Sequence, residues 1–248
     1  MLLPNIQPHP ATAGINPDLW TDADDEDRRT ISIGDQISNL RNKWVGFNDF
    51  SQASAPLQPE YESNGINGLG SVAKIDSPSL EKLNSLNLIA SAPPNFFLQF
   101  VWRYTGTLAG TDGYIFTIIF SGGGTVQYLL TINIVTQQIW SRPWWQPVGT
   151  VGGITSSLTL NQNQAYIIEI LYDQTSSLHS LTLNGIFQGS SSTMITTIID
   201  RFHIYTNHPT LSAPQSQEGT LFFNQTIPSA LQIQRNRRYL ANRYNISI

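Results

Sequence analysis

Residues 178–189 read Leu178-His-Ser-Leu-Thr-Leu-Asn-Gly-Ile-Phe-Gln-Gly189. Six residues of alternating character lead into Asn184-Gly185, and a second short apolar run leads away. Asn-Gly supplies the two consecutive positive-φ positions of a type I′ turn, whose twist matches that of a pair of antiparallel strands. The stretch predicts a β-hairpin, and the segments on both sides repeat its pattern. Upstream lies AYIIEILYD (165–173), joined to Leu178 by four polar residues. In FFLQFVWRY (96–104), Phe96, Leu98, Phe100, Trp102 and Tyr104 fall on one face, with Phe97, Gln99, Val101 and Arg103 on the other. Residues 114–120 and 128–135 flank a triple glycine (122–124) and read as a second hairpin, and residues 201–206 and 219–224 read as late strands. Many short strands separated by turn signals imply an all-β, antiparallel sandwich.

The two ends differ from this middle. Residues 1–17 contain Pro4, Pro8, Pro10 and Pro17, which suits an extended arm and excludes helix or central strand. Residues 31–80 are turn-rich, with an apolar cluster at Trp44, Val45 and Phe47 and a single turn of helix expected at 79–84. After Pro228, residues 229–244 are rich in helix formers, with Ala230, Ile233, Leu240 and Tyr244 at helical spacing and Thr226 as the expected cap. The division expected is an arm (1–17) followed by one domain (18–248) that ends in this helix.

Composition narrows the function classes. The charged fraction is 12%, about half the usual ~25%, and Ser, Thr, Asn, Gln and Gly make up the difference. Such a surface suits a β-rich protein lying partly against neighbours, or a neutral extracellular sandwich. Net charge is −4, so the electrostatic footprint of a nucleic-acid binder is missing. The absence of cysteine removes disulfides, thiolate metal sites and thiol nucleophiles. Neither a signal peptide nor a membrane-spanning run is expected. The acidic run from Asp22 to Asp27 lacks the spacing of a calcium loop and reads as a solvated loop. Arg235, Arg237, Arg238 and Arg243 form an expected positive patch on the helix.

Five phrases in order carry a family resemblance: Pro17-Asp-Leu-Trp-Thr-Asp-Ala-Asp24, Gln58-Pro-Glu-Tyr61, Asn64-Gly-Ile-Asn-Gly-Leu-Gly70, Asn184-Gly185, and Arg238-Tyr-Leu-Ala-Asn-Arg-Tyr-Asn-Ile246. Together they resemble the laminin-G-like, concanavalin A-like jelly-roll modules of bacteriophage structural proteins, over nearly the whole chain. Asn245 stands where that pattern has glycine, and Asn tolerates the left-handed cap. The resemblance implies a concanavalin A-like jelly roll. It further implies a non-enzymatic virion structural protein, a capsid decoration or tail component assembled in the host cytoplasm. Such a protein would hold other virion proteins, form a homo-oligomer, and need no cofactor. The alternative it implies is a carbohydrate-binding adhesion module that recognises host surface glycan.

The candidate chemistry is sparse. Glu169 stands alone in its strand, and glycoside hydrolysis needs a carboxylate pair. His9, His179, His203 and His208 are dispersed, no Gly-x-Ser-x-Gly elbow occurs, and no metal site is expected. The richest segment is Trp140-Ser-Arg-Pro-Trp-Trp-Gln-Pro147, whose two prolines suggest a loop. Trp140, Arg142, Trp144 and Trp145 are therefore the binding candidates, for a protein interface or for stacking on sugar rings. The bland alternative is that the tryptophans cap the end of the sandwich.

Overall fold

In the computed structural model, Asn184 and Gly185 take φ values of 49° and 82°, and Leu183 pairs with Ile186 across them. The hairpin is the one its dipeptide demands. The structure describes residues 17, 19–43, 49–74, 83–85, 95–106, 112–120, 126–133, 135–145, 149–150, 152–192, 199–204 and 215–248. The proline-rich arm up to residue 16, the cluster at Trp44, Val45 and Phe47, and the triple-glycine loop lie outside them.

The strands of the first third are β1 (Leu19–Thr21), β2 (Arg29–Ile31), β3 (Ile37–Leu40), β4 (Phe50–Ser51), β5 (Glu60–Glu62), β6 (Ser71–Lys74) and β7 (Leu83–Ser85). The middle contributes β8 (Phe96–Tyr104), β9 (Asp112–Phe120), β10 (Val126–Asn133), β11 (Gln138–Trp145), β12 (Gly149–Thr150) and β13 (Ile154–Thr159). The last part holds β14 (Ala165–Asp173), β15 (Leu178–Leu183), β16 (Ile186–Ser191), β17 (Ile199–Ile204), β18 (Ser216–Asn224) and the helix α1 (Ala230–Tyr244). One sheet runs β16-β15-β14-β8-β18-β6-β5, with β1 also on β18; the other runs β12-β11-β10-β9-β17-β7-β4-β3-β2, with β13 also on β11. Every strand pair among the described residues is antiparallel, and the fold is a β-sandwich of jelly-roll type with one C-terminal helix.

The alternation read from β8 is observed. Phe96, Leu98, Phe100, Trp102 and Tyr104 point between the sheets, where they meet Phe116, Tyr128, Leu130, Ile168, Ile170, Leu181 and Phe223. The opposite face of β8 is buried as well, because α1 lies across it. Val101, Ile167, Phe222 and Trp20 pack there against Tyr239, Leu240, Ala241 and Tyr244. Covering the second face of the sheet with an amphipathic helix turns a two-layer sandwich into three layers.

A polar spine crosses this outer layer. Arg237 Nε and Nη2 donate to the two carboxylate oxygens of Glu169 at 2.7 and 2.6 Å. Gln99 Nε2 donates to the same carboxylate at 2.6 Å, and Asn236 Nδ2 donates to Gln99 Oε1. The lone glutamate of β14 is thus the anchor of the helix, clamped in the fork geometry that arginine favours. Gly185 abuts this clamp, since a Cβ there would lie 3.2 Å from Arg237.

The resemblance phrases meet around the same helix. Gly70 N donates to Asp24 Oδ1 (2.8 Å), Asn67 Nδ2 donates to the Tyr244 carbonyl (2.5 Å), and Arg29 lies 3.9 Å over the Tyr61 ring. Gly70 admits no side chain, because a Cβ would sit 2.6 Å from the Tyr61 hydroxyl.

Five expectations need correction. Residues 138–145 are strand, not loop. Pro143 is tolerated because β13 ends its pairing at Ser141 and β12 begins at Trp144, so the missing N–H falls where that edge of β11 has no partner strand. The acidic run is not simply solvated: Asp22 is buried and paired with Arg243 (2.9 Å) and Lys43 (3.6 Å), while Asp25 holds Lys43 at 2.7 Å. The helix arginines accordingly form no uniform patch, since Arg237 and Arg243 are spent on Glu169, Asp22 and Asp24. The helix cap is Ser229, not Thr226, because Ser229 and Gln232 close a reciprocal capping box. At 79–84, the described residues Leu83 and Asn84 are strand; they fill the slot between β4 and β17, where ladder bonds outweigh a single helical turn.

Candidate functional site

Period-two alternation in β11 sends Ile139 and Ser141 inward and leaves Trp140 and Arg142 on the outer face of the second sheet. In the ladder, Trp140 lies between Thr131 of β10 and Thr155 of β13, and Arg142 lies beside Leu129. Both side chains are half-buried, and the Arg142 guanidinium carbon sits 4.9 Å from the centre of the Trp140 ring. Beside them opens a cleft of about 260 Å³, lined by Trp140, Arg142, Gly153, Ile154 and Thr155. Two of the four candidates are thereby brought together. Trp144 and Trp145 continue the same strand, opposite Gln127 and Val126 of β10 and Thr150 and Gly149 of β12, but their side chains lie outside the described residues. Gly153, Ile154 and Thr155 were not foreseen. Their place at the cleft depends on β13 pairing with β11, and nothing local in their sequence announces that.

A serine and a histidine do meet, but in the wrong place for nucleophilic chemistry. Ser141 Oγ is 3.0 Å from His179 Nε2, and the Tyr128 hydroxyl contacts both, at 2.5 Å from the imidazole. All three are completely buried between the sheets, and His179 Nδ1 has no hydrogen-bond partner among the described residues. Burial lowers the His179 pKa to about 4, which keeps the ring neutral. The trio fills polar space in the core, out of reach of any substrate.

A second cleft, of about 330 Å³, lies where β1 meets the helix, with Trp20, Tyr239, Asp22, Asp24, Asp25, Lys43 and Arg243 around it. Burial pushes the Asp25 carboxyl up, but its bond to Lys43 outweighs this and holds its pKa below the usual value. Arg243 is pushed down by burial and, more strongly, up by Asp22 and its other partners. These acids are matched by cations and serve to fasten the helix to the N-terminal strand. Among the described residues no group of three or more His, Cys, Asp or Glu is placed to hold a metal ion, and no helix is long and apolar enough to cross a membrane.

No protein-family model matches the chain, and no curated protein matches it. Solved structures do. The binding domain of Paraclostridial Mosquitocidal Protein 1 is similar over 92% of this chain and 52% of its own, with a TM-score of 0.64 at 10% identity. The botulinum neurotoxin serotype G binding domain matches over 92% and 51%, with a TM-score of 0.56 at 11% identity. A Trypanosoma rangeli sialidase matches over 91% and 32%, with a TM-score of 0.56 at 9% identity. The chain thus spans about half the length of the toxin binding domains and about a third of the sialidase. At these identities the likeness establishes the shared fold. Two of the three are binding domains and one is an enzyme; none is a virion protein.

Proposed function

We propose that the chain is a non-enzymatic, carbohydrate-binding adhesion module, with its glycan site in the cleft at Trp140 and Arg142. The observation that carries this reading is the guanidinium held 4.9 Å from the indole at the edge of the cleft. An indole offers an apolar surface to the C–H face of a pyranose. A guanidinium fixed beside it forks a carboxylate. The pairing therefore favours a sugar that bears a carboxylate. Among the described residues the lining of the cleft includes no acid, whereas glycoside hydrolysis draws on two. The virion setting, contact with other virion proteins and the homo-oligomer belong to the proposal through the five sequence phrases alone.

A glycan array probed with the labelled chain tests the reading. Saturable binding to carboxylated glycans is expected, weakened about tenfold or more by Trp140→Ala and by Arg142→Ala, as for loss of a stacked ring or a charge-assisted bond. An array blank for acidic glycans would overturn it.

A further inference from the structure

Four turns that are distant in sequence converge. They are the loop at residues 66–68, the β13–β14 turn, the Asn184-Gly185 turn and the C-cap of α1. Each contributes an asparagine with a left-handed backbone: Asn67 (φ 52°), Asn163 (φ 64°), Asn184 (φ 49°) and Asn245 (φ 49°). With Gln164 and Ser247 they line a cleft of about 310 Å³ that, among the described residues, includes no charged side chain. Glycine is the least strained residue at such a backbone position, and asparagine is tolerated there at some cost. The turns account for the residue type, since asparagine is the side chain that most readily takes this backbone after glycine; what they leave over is the set of amides the turns gather in one cleft.

Part of this set is used internally. Asn67 Nδ2 donates to the Tyr244 carbonyl at 2.5 Å, and Asn184 Oδ1 accepts from Ile167 N at 2.7 Å. The side chains of Asn163 and Asn245 make no hydrogen bond among the described residues, although their backbone positions would suit glycine. Their amides, with the Asn184 Nδ2 and Asn67 Oδ1 left over, offer several donors and acceptors to the cleft. The carbonyl end of α1 opens onto the same place and carries partial negative charge, which disfavours anions and favours hydroxyl donors.

We infer that this amide-lined cleft is a second saccharide site, selective for neutral, polyhydroxylated sugars and independent of the Trp140/Arg142 cleft. Paired amide donors and acceptors bind vicinal hydroxyls; without an aromatic platform or a cation, the site has no means to select acidic sugars. The chain would then carry two sites with no lining residue in common.

The test uses the full chain and a panel of neutral gluco-, galacto-, manno- and N-acetylglucosamine oligosaccharides, on an array and then by calorimetry. The double variant Asn163→Gly/Asn245→Gly removes two amides while preserving the left-handed backbone, so folding is not the variable. Binding of a neutral saccharide is expected to fall about tenfold or more, as for two neutral hydrogen bonds, while Arg235→Ala, at an exposed position that lines neither cleft, leaves it within about twofold. The inference is overturned if the unmodified chain binds no neutral saccharide on the panel. It is equally overturned if the double variant binds as well as the parent, or if Arg142→Ala abolishes the binding.

Discussion

Glu218 and His179 are sealed inside the protein and respond to pH in opposite directions. Glu218 sits opposite Trp102 in the ladder of β18 and β8, is fully buried, and neither carboxylate oxygen has a hydrogen-bond partner among the described residues. Burial raises its pKa well above the ordinary carboxylate range. Because the folded state binds this proton more tightly than the unfolded chain, the stability it contributes is complete below the unfolded pKa, ~4.3, and is lost as pH rises. His179 is the reverse case. Its folded pKa of about 4 lies below the ordinary 6.5, so its contribution is complete above the unfolded value and is lost as pH falls toward 4. The two slopes oppose each other in mildly acidic solution, and above pH ~6.5 only the glutamate slope remains. Glu218→Gln should therefore raise the melting temperature at pH 7–8 and leave it nearly unchanged at pH 4, where the parent carboxyl is already neutral. A melting series across pH checks this; equal shifts at both ends would mean that Glu218 is ionised in the fold.

The joint between helix and sheet is decided by ion pairs more than by helix propensity. Arg237→Ala strands the Glu169 carboxylate, which is 4% exposed, with only Gln99 to satisfy it. Removing one partner of a buried pair costs about 3 kcal/mol, and chemical denaturation should show a loss of that order. Arg235→Ala, at an exposed position on the same helix, should change stability by less than ~0.5 kcal/mol. This contrast also marks how far the sequence could be read. The strands at 96–104 and 165–173, the Asn184-Gly185 turn and the Asn245 cap were legible because period-two alternation and positive-φ residues act locally. The partners of Glu169 and Asp24 were not, since they lie 68 and 219 residues away. An isolated acid looks the same in sequence whether water or an arginine receives it. At the candidate site, Trp140 and Arg142 stood out by residue type, yet the prolines around them pointed to a loop. Only the staggered ends of β12 and β13 explain why a strand accepts Pro143.

Across the whole molecule, the central strand β8 is flanked by two strands that follow it in the chain, β14 and β18. The first strand is further from its partner still, since Trp20 pairs with Phe222. Contacts of such sequence separation slow folding, because the chain entropy of closing the loop is lost before the contacts form. During synthesis the consequence is an obligatory order of events. A nascent chain that has emerged only through β17 has β8 open along one flank and Trp20 without the strand it pairs with. It can hold the β14–β15–β16 hairpins but cannot complete the eight-stranded sheet. Ribosome-bound chains stalled with residues 1–204 exposed should be digested rapidly by a non-specific protease, and chains with all 248 residues exposed should be resistant. Protection appearing in the shorter chain would show that the sandwich does not wait for β18. The ribosome therefore delivers the keystone late, and until residue 224 is clear of the exit tunnel, Trp102 and its neighbours remain exposed to chaperones and to other nascent chains.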